Sequence, residues 1–377
     1  MPGLLPDVDP DGLLEYSVVY TDRALNHMSQ RFQQVMRDIS GMLLETYAAD
    51  SVAVVPGSGT FAMEAVARQF ATGARCLVIR NGWFSYRWSQ IFAMGSIPAA
   101  ETVLKARPQH AGPEAPFAPA PIDEVVDVIG REKPDLVFAP HVETSAGMRL
   151  PDDYLKAVAD AVHAHGGLFV LDCIASGTLW VDMAATGVDV LVSAPQKGWS
   201  GSPCAGLVML SPAAAERLTH TTSTSFACDL RKWRDIMRAY EDGGHAYHAT
   251  MPTDGLRVMC DVMAETLAFG KDRAHQALTE LGGRVRGLLE QQGFASVAAP
   301  GFQAPGVVVS YTGDDALRTG QAFAAQGLQI AAGVPLQCDE PADFKTFRIG
   351  LFGLDKIQDV DRTVRTFGAA LEAVTAR

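Results

Sequence analysis

Short apolar runs alternate with longer helical patterns through the first two thirds of the chain. Several runs are continuous blocks of Val, Leu, Ile and Phe, which suit strands buried on both faces of a mainly parallel sheet. The pattern predicts strands at residues 51–55, 75–80, 135–140, 167–172, 188–194 and 205–210, and helices at 60–71, 83–94, 122–132 and 151–165. This order predicts a doubly wound α/β fold, in which ligands bind in the loops after the strands.

The pattern changes after about residue 251. Helical stretches at 255–269 and 272–292 lead to short strands at 306–311, 327–332 and 345–351, and a last helix spans 355–376. These elements predict a smaller α+β domain. Because 377 residues exceed the usual size of one compact core, we expect two domains, with a boundary after residue 254.

The net charge of -12 argues against a nucleic-acid partner, whose phosphates require a basic patch. The six cysteines form no CxxC pair and no Cys/His cluster with zinc spacing, so we expect reduced thiols and no metal site. The chain shows no secretory signal pattern and no apolar run of the about 18 residues that span a bilayer. We therefore expect a cytoplasmic protein that binds neither nucleic acid nor membrane.

A glycine-rich turn, Gly57-Ser58-Gly59-Thr60, stands between a predicted strand and a predicted helix. Glycine lets the backbone approach an anion closely, and the free N–H groups and the helix dipole point towards it. Ser58 and Thr60 add hydroxyl donors. The turn is neither a P-loop nor a GxGxxG motif. It is a candidate phosphate site, and the alternative is an ordinary turn before a helix.

Two ionisable residues follow buried strands. A carboxylate at Asp172 could pair with a protonated heterocyclic nitrogen and keep it cationic, and the alternatives are a helix cap or a structural ion pair. Lys197 follows the strand at 188–194. Burial lowers the pKa of a lysine and makes its amine a nucleophile that can form an imine, whereas the alternative is a side chain that extends into solvent.

The order of the glycine-rich turn, Asp172 and Lys197 resembles that of fold-type-I pyridoxal-phosphate (PLP) enzymes. From about residue 26 to 376 the chain resembles the class V aminotransferases, and within them the alanine–glyoxylate / serine–pyruvate group. Besides Asp172 and Ile174, the matching segments are NHMS at 26–29, GSGT at 57–60, NGWFSYRW at 81–88, HVETSAG at 141–147, QK at 196–197, YHATMP at 247–252 and FRIGLFG at 347–353.

The resemblance implies an α/β large domain, with a mainly parallel seven-stranded sheet sandwiched by helices, and a smaller α+β C-terminal domain. It divides the chain into an N-terminal segment at 1–22 that contributes to the substrate pocket, a large PLP-binding domain at 23–254 and a small domain at 255–377.

The same resemblance implies a role for each matching residue. The phosphate would be bound by Gly57, Ser58, Gly59, Thr60 and Gln196. Phe84 would stack on the pyridine ring, and Ile174 would pack on its face. Thr144 would bond the ring hydroxyl, and Asp172 would pair with the ring nitrogen.

Four further roles concern covalent attachment, the substrate and the assembly. Lys197 would carry the Schiff base and move a proton from the substrate Cα as general base. Arg348 would bind the substrate carboxylate, a task that suits a guanidinium fork. Tyr247 and Thr250 would reach across a homodimer to the cofactor phosphate of the neighbouring active site.

The implied activity moves an amino group from a small L-amino acid, of alanine or serine type, to a 2-oxo acid such as glyoxylate or pyruvate, by double displacement. Because of two departures from the family pattern, the sequence does not determine the identity of the substrate. Ser202 and Cys204 occupy two positions where the family usually has two prolines and a glycine. A divergent, acidic segment at 1–22 replaces the strand that usually carries Pro-Gly-Pro.

Two alternatives use the same fold. A lyase of cysteine desulfurase type needs a mobile nucleophilic cysteine and usually has His before the lysine, whereas this chain has Gln196 there. Cys338 lies ten residues before Arg348, close to the position of such a cysteine, and its other interpretation is an ordinary loop thiol. A non-catalytic effector-binding domain is disfavoured because Lys197 is retained and no basic or helix-turn-helix module precedes it.

Overall fold

The computed structural model describes residue 9 and residues 12–376, and its first part is an α/β unit. The strands of this unit are β1 (Ser51–Pro56), β2 (Arg75–Arg80), β3 (Ala100–Lys105), β4 (Arg107–Pro108), β5 (Phe117–Ala118), β6 (Leu136–Pro140), β7 (Val142–Glu143), β8 (Met148–Arg149), β9 (Leu168–Asp172), β10 (Val190–Ser193) and β11 (Ala205–Leu210). Its helices are α1 (Gln30–Tyr47), α2 (Gly59–Phe70), α3 (Trp83–Gly95), α4 (Ile122–Glu132), α5 (Asp152–His163), α6 (Met183–Thr186), α7 (Pro212–Thr219), α8 (Leu230–Glu241) and α9 (Thr253–Phe269).

Seven strands form one sheet in the order β1-β11-β10-β9-β6-β2-β3. Only β11 runs antiparallel to its neighbours, and the other pairs are parallel. Strands β6, β9, β10 and β11 are buried along their whole length, which explains their continuous apolar sequences. Helices α2, α3, α5 and α8 pack against the sheet. The predicted seven-stranded, mainly parallel sheet surrounded by helices is confirmed.

The second part of the chain is built around an antiparallel sheet in the order β12-β14-β13. Its elements are α10 (Lys271–Gln291), β12 (Val307–Tyr311), α11 (Asp315–Arg318), α12 (Gln321–Ala324), β13 (Ala331–Ala332), β14 (Thr346–Gly350), α13 (Leu354–Ile357) and α14 (Val360–Thr375). The predicted strand at 327–332 shortens to two residues. The single helix predicted at 355–376 is divided, because the Asp359 side chain accepts a bond from Arg362 N, at 2.9 Å, and starts a new helix.

Three apolar clusters fill the interior of these parts, and the third joins them. Side chains of α9, including Leu256 and Met263, lie in the first cluster with the large sheet. Side chains of α10, including Leu281, lie in the second cluster with β14 and α14. The third cluster contains residues of both parts. Helices α9 and α10 thus connect the parts through Gly270, and the domain boundary after residue 254 stays a prediction.

The N-terminal segment lies only partly within the described residues, since residues 1–8, 10 and 11 fall outside them. Its described residues, together with the start of α1, line a cleft of about 950 Å³. Leu13 and Tyr16 in this segment are mostly exposed. The contribution of the segment to the substrate pocket stays a prediction. Within the described part of the chain, no helix is long and apolar enough to cross a membrane.

Candidate active site

A cavity of about 230 Å³ lies at the carboxyl ends of the parallel strands. Strands β1, β2, β6, β9 and β10 each lead into a loop or helix that contributes to its wall. The lining residues are Ser58, Gly59, Thr60, Met63, Phe84, Arg87, Val142, Thr144, Asp172, Ile174, Ala175, Gln196 and Lys197. The cavity therefore brings together most of the residues that the sequence assigns to a cofactor.

The glycine-rich turn forms one side of the cavity, where α2 begins at Gly59. Gly57 has a φ of 120°, in the region that favours glycine. A Cβ on Gly59 would lie 2.5 Å from Ile174 Cδ1, so the glycine permits close approach of α2 to the loop after β9. Among the described residues, the Ser58 side chain makes no capping bond to α2. Its hydroxyl and the start of the helix are therefore free to bind an anion.

Asp172 is buried at the end of β9, and Ile174 N donates to its Oδ1 at 2.9 Å. Burial raises the pKa of the Asp172 carboxyl to about 6, against the opposing effects of that hydrogen bond and of the Lys197 charge. A buried carboxylate of this kind is stabilised in its ionised form by a cationic partner. A protonated pyridine nitrogen is such a partner.

Lys197 lies in the loop after β10, with its Nζ 5.9 Å from the centroid of the Phe352 ring. Burial lowers the pKa of its amine, while the charges of Asp172 and Glu143 oppose this effect. The next residue, Gly198, has no room for a Cβ because the carbonyl oxygen of Gly177 occupies that space. This backbone contact fixes the loop that carries Lys197 against the loop that follows Asp172.

Glu143 is a fully buried carboxylate that sequence reasoning left without a role. Its Oε1 accepts from Phe84 N at 3.2 Å and its Oε2 from Ser85 N at 2.8 Å, at the start of α3. It also accepts bonds from the hydroxyls of Ser85 and Ser145, each at 2.7 Å. A negative charge at a helix N-terminus is favourable. The position of Phe84 in the cavity wall therefore depends on Glu143. In the sequence, its place in the matching segment HVETSAG could have indicated that Glu143 belongs to the site.

Two arginines approach Phe84 from different parts of the chain. The Arg348 guanidinium carbon lies 5.5 Å from the centroid of the Phe84 ring, and its Nε donates to Ala332 O at 2.8 Å. Burial lowers the pKa of this guanidinium, and Glu143 opposes the effect. The guanidinium carbon of Arg87, on α3, lies 5.3 Å from the same centroid. Arg87 belongs to a matching segment, but the sequence assigned it no role.

Four predicted site residues lie outside the cavity wall: Gly57, Tyr247, Thr250 and Arg348. Gly57 precedes the wall, and its N–H donates to Cys204 O at 3.0 Å. Tyr247 and Thr250 are exposed, with their hydroxyls 3.1 Å apart. Their proposed contact with a neighbouring copy stays a prediction.

The cysteines are free of disulfides, and none lines the cavity. Cys338 is buried, and its Sγ donates to Arg80 O at 3.4 Å. Burial raises the pKa of the Cys338 thiol to about 12 and that of Cys204 to about 11. Cys338 is therefore a buried, protonated thiol, whereas a desulfurase nucleophile reacts as an accessible thiolate.

The cavity fits PLP by the chemistry of its walls. An anion-binding turn, a buried carboxylate that needs a cation and an amine of lowered pKa lie in one space. The buried Oε1 of Gln196 has no partner among the described residues, so a polar atom also faces the space without a bond. Groups of three or more His, Cys, Asp or Glu side chains that could hold a metal do not occur in the described part of the chain.

Comparisons with known proteins point to one family. Residues 13–362 match the family "Aminotransferase class-V". The 2-aminoethylphosphonate–pyruvate transaminase 2 of Paraburkholderia xenovorans is 27% identical over 85% of this chain and 82% of its own length. The alanine–glyoxylate aminotransferase of Oryctolagus cuniculus is 26% identical over 92% of this chain and 87% of its own length. A subgroup IV aspartate aminotransferase from Thermus thermophilus superimposes with a TM-score of 0.76 at 26% identity, over 93% of this chain and 94% of its own. The chain therefore belongs to the class V aminotransferases, which are PLP-dependent enzymes.

Proposed function

We propose that this aminotransferase moves the amino group of a small L-amino acid, of alanine or serine type, to a 2-oxo acid such as glyoxylate or pyruvate. The observation that carries the proposal is the convergence of Lys197, Asp172 and the glycine-rich turn in one cavity of about 230 Å³. The names of two relatives, which include glyoxylate and pyruvate, also support this choice of acceptor.

Each residue that the sequence assigned to the cofactor has a role in this proposal. The phosphate ligands are Gly57, Ser58, Gly59, Thr60 and Gln196. Phe84 and Ile174 pack on the ring, and Thr144 bonds its hydroxyl. Bound PLP supplies the electron sink for the reaction. Asp172 holds a proton at the pyridine nitrogen, and Lys197 is the covalent attachment point.

Substrate binding follows from the positions of Arg348 and Lys197. The Arg348 guanidinium binds the substrate carboxylate as a fork and so fixes the orientation of Cα. The Lys197 amine, whose pKa burial lowers, takes the proton from Cα. Each of the two side chains lies near an aromatic ring, Lys197 near Phe352 and Arg348 near Phe84.

The proposed active assembly is a homodimer. Tyr247 and Thr250 are exposed and lie outside the cavity of their own chain, which is consistent with a role at the phosphate site of a second copy. We also propose that residues 23–254 form the PLP-binding domain, that 255–377 form the small domain, and that segment 1–22 contributes to the substrate pocket.

The experiment is a half-reaction screen. Single amino acids are added to the PLP-loaded protein, and the loss of the visible absorption of the bound cofactor and the appearance of the 2-oxo acid are measured. Alanine or serine is expected to convert the cofactor, and two-substrate rates are expected to give parallel lines. If no amino acid converts it, the proposal fails, and sulfide release from cysteine would favour the lyase alternative.

Lys197→Ala tests the residue assignment. Borohydride reduction of the loaded wild-type protein is expected to fix the cofactor on the peptide that contains Lys197, detected by mass spectrometry. The variant is expected to lose this labelling and roughly a hundredfold to ten-thousandfold in turnover, the range for a lost general base. Lys232→Ala, at an exposed position on α8, is the matched control. Labelling of a different lysine would refute the assignment.

A further inference from the structure

The proposed phosphate ligands are all electrically neutral. They are backbone N–H groups, the hydroxyls of Ser58 and Thr60, the Gln196 amide and, from a second copy, two hydroxyls. A phosphate monoester carries about -1.5 to -2 charges at pH 7, whereas a helix N-terminus offers only about half a positive charge. A dianion held away from water requires a compensating cation. The site needs a cationic ligand that the sequence did not assign.

Three cationic side chains reach the cavity or its edge. Lys197 is the covalent attachment point, and Asp172 and Glu143 are the carboxylates whose charges act on its amine. Arg348 comes from β14, and its Nε is bonded to Ala332 O. Neither makes a hydrogen bond to the glycine-rich turn among the described residues. Two of the three cations are therefore committed elsewhere.

Arg87 is the remaining cation, and it contacts the turn directly. Its Nη1 donates to Thr60 Oγ1 at 3.1 Å, and Arg87 itself lines the cavity. Its guanidinium carbon lies 5.3 Å from the centroid of the Phe84 ring, and this contact limits the positions that the Arg87 side chain can take. Among the described residues Arg87 makes no ion pair, so its charge is not neutralised by a carboxylate.

We infer that Arg87 is the cationic ligand of the cofactor phosphate. Its guanidinium lies beside the Thr60 hydroxyl and donates to the same phosphate that the start of α2 binds. Arg348 remains available for the substrate carboxylate. This inference rests on the proposed function, because it requires that PLP binds in this cavity.

The test compares two ligands that differ only in the phosphate. Cofactor-free protein is titrated with PLP and with pyridoxal, and binding is followed by absorbance. Arg87→Gln is expected to weaken PLP binding by roughly tenfold to a hundredfold, the range for a lost charge-assisted hydrogen bond, while pyridoxal binding stays unchanged. Arg87→Met, which keeps an aliphatic side chain against Phe84, is expected to show the same loss of PLP affinity with unchanged pyridoxal binding. Arg87→Lys is expected to recover part of the PLP affinity.

Arg348→Gln is the matched control, because it removes the same charge at a similar distance from Phe84. Its ratio of PLP to pyridoxal affinity is expected to equal that of the wild type. The inference on Arg87 is overturned if Arg87→Gln and Arg87→Met weaken both ligands equally, or if they raise the KM of the 2-oxo acid without changing PLP affinity. If the wild-type protein binds neither ligand, the proposed function itself fails.

Discussion

At the scale of single residues, the environment of Asp172 decides how it ionises. Its position at the end of a buried strand was visible in the sequence, and this made it a candidate partner for a ring nitrogen. The degree of burial was not visible, because the surrounding loops and the parts packed on them create it. That burial raises the pKa of the carboxyl from 3.8 to about 6.

This raised pKa predicts how the stability of the cofactor-free protein depends on pH. The folded protein binds the Asp172 proton more tightly than the unfolded chain does. The associated stability is therefore fully present below pH 3.8 and is lost as the pH rises through about 6. The rise in pKa corresponds to about 3 kcal/mol at about 1.36 kcal/mol per pKa unit.

Replacement of Asp172 by Asn removes this dependence. The cofactor-free variant is expected to gain up to about 3 kcal/mol in the free energy of unfolding at neutral and alkaline pH, and to match the wild type in strong acid. Urea unfolding across a pH series measures this difference. Asp343→Asn, at an exposed loop position, is the control. A variant less stable than the wild type at alkaline pH would contradict the prediction.

At the scale of elements, prediction worked where the chain is buried on both faces. The strands that became β1, β2, β6, β9, β10 and β11 were predicted to within two residues at each end. Edge strand β3 was not predicted, because most of its side chains are partly or fully exposed and its sequence is mixed. Helices α1 and α8 were also not predicted, although each buries one face as the predicted helix α4 does. Continuous apolar runs therefore indicate central strands better than peripheral elements.

The start of α3 gives a prediction at this scale. Glu143→Gln leaves an amide that cannot accept all the bonds that the carboxylate accepts from Phe84, Ser85 and Ser145. We expect a loss of about 1–3 kcal/mol in the free energy of unfolding and faster release of PLP, because Phe84 is no longer held in place. Urea unfolding and cofactor dissociation rates measure the two effects.

Glu101→Gln is the matched control for this change. Glu101 accepts a hydrogen bond from Ser89, which lies further along α3 and outside the cavity wall. The control is expected to leave the release rate of PLP unaltered. If both variants release the cofactor equally fast, the role of Glu143 in positioning Phe84 is refuted.

At the scale of the whole molecule, the candidate site spans both parts of the chain. The large sheet carries Lys197, whereas Arg348 comes from β14 of the second part. Leu354 N donates to Ser200 Oγ at 2.8 Å, which connects the lysine loop to the second part. The cavity residues could be predicted because they follow strands of one sheet. The approach of Arg348 to the Phe84 ring could not be predicted, because it depends on packing between distant segments.

The proposed dimer predicts complementation between two inactive variants. Chains with Lys197→Ala keep Tyr247 and Thr250, and chains with Tyr247→Phe and Thr250→Val keep Lys197. A mixed dimer contains one site with all the native residues, so activity is expected to reappear when the unfolded proteins are refolded together. Transamination assays before and after mixing measure it. If co-refolded dimers stay inactive, these residues do not act across the interface.

The environment of the thiols has a consequence for chemical durability. Five of the six cysteines are buried, and burial raises the pKa of every cysteine thiol, to about 12 for Cys76, Cys260 and Cys338. The thiolate is the form that adds to aldehydes, and little of it exists at neutral pH in such surroundings. An enzyme whose cofactor is itself an aldehyde is thus protected from forming hemithioacetals on its own side chains.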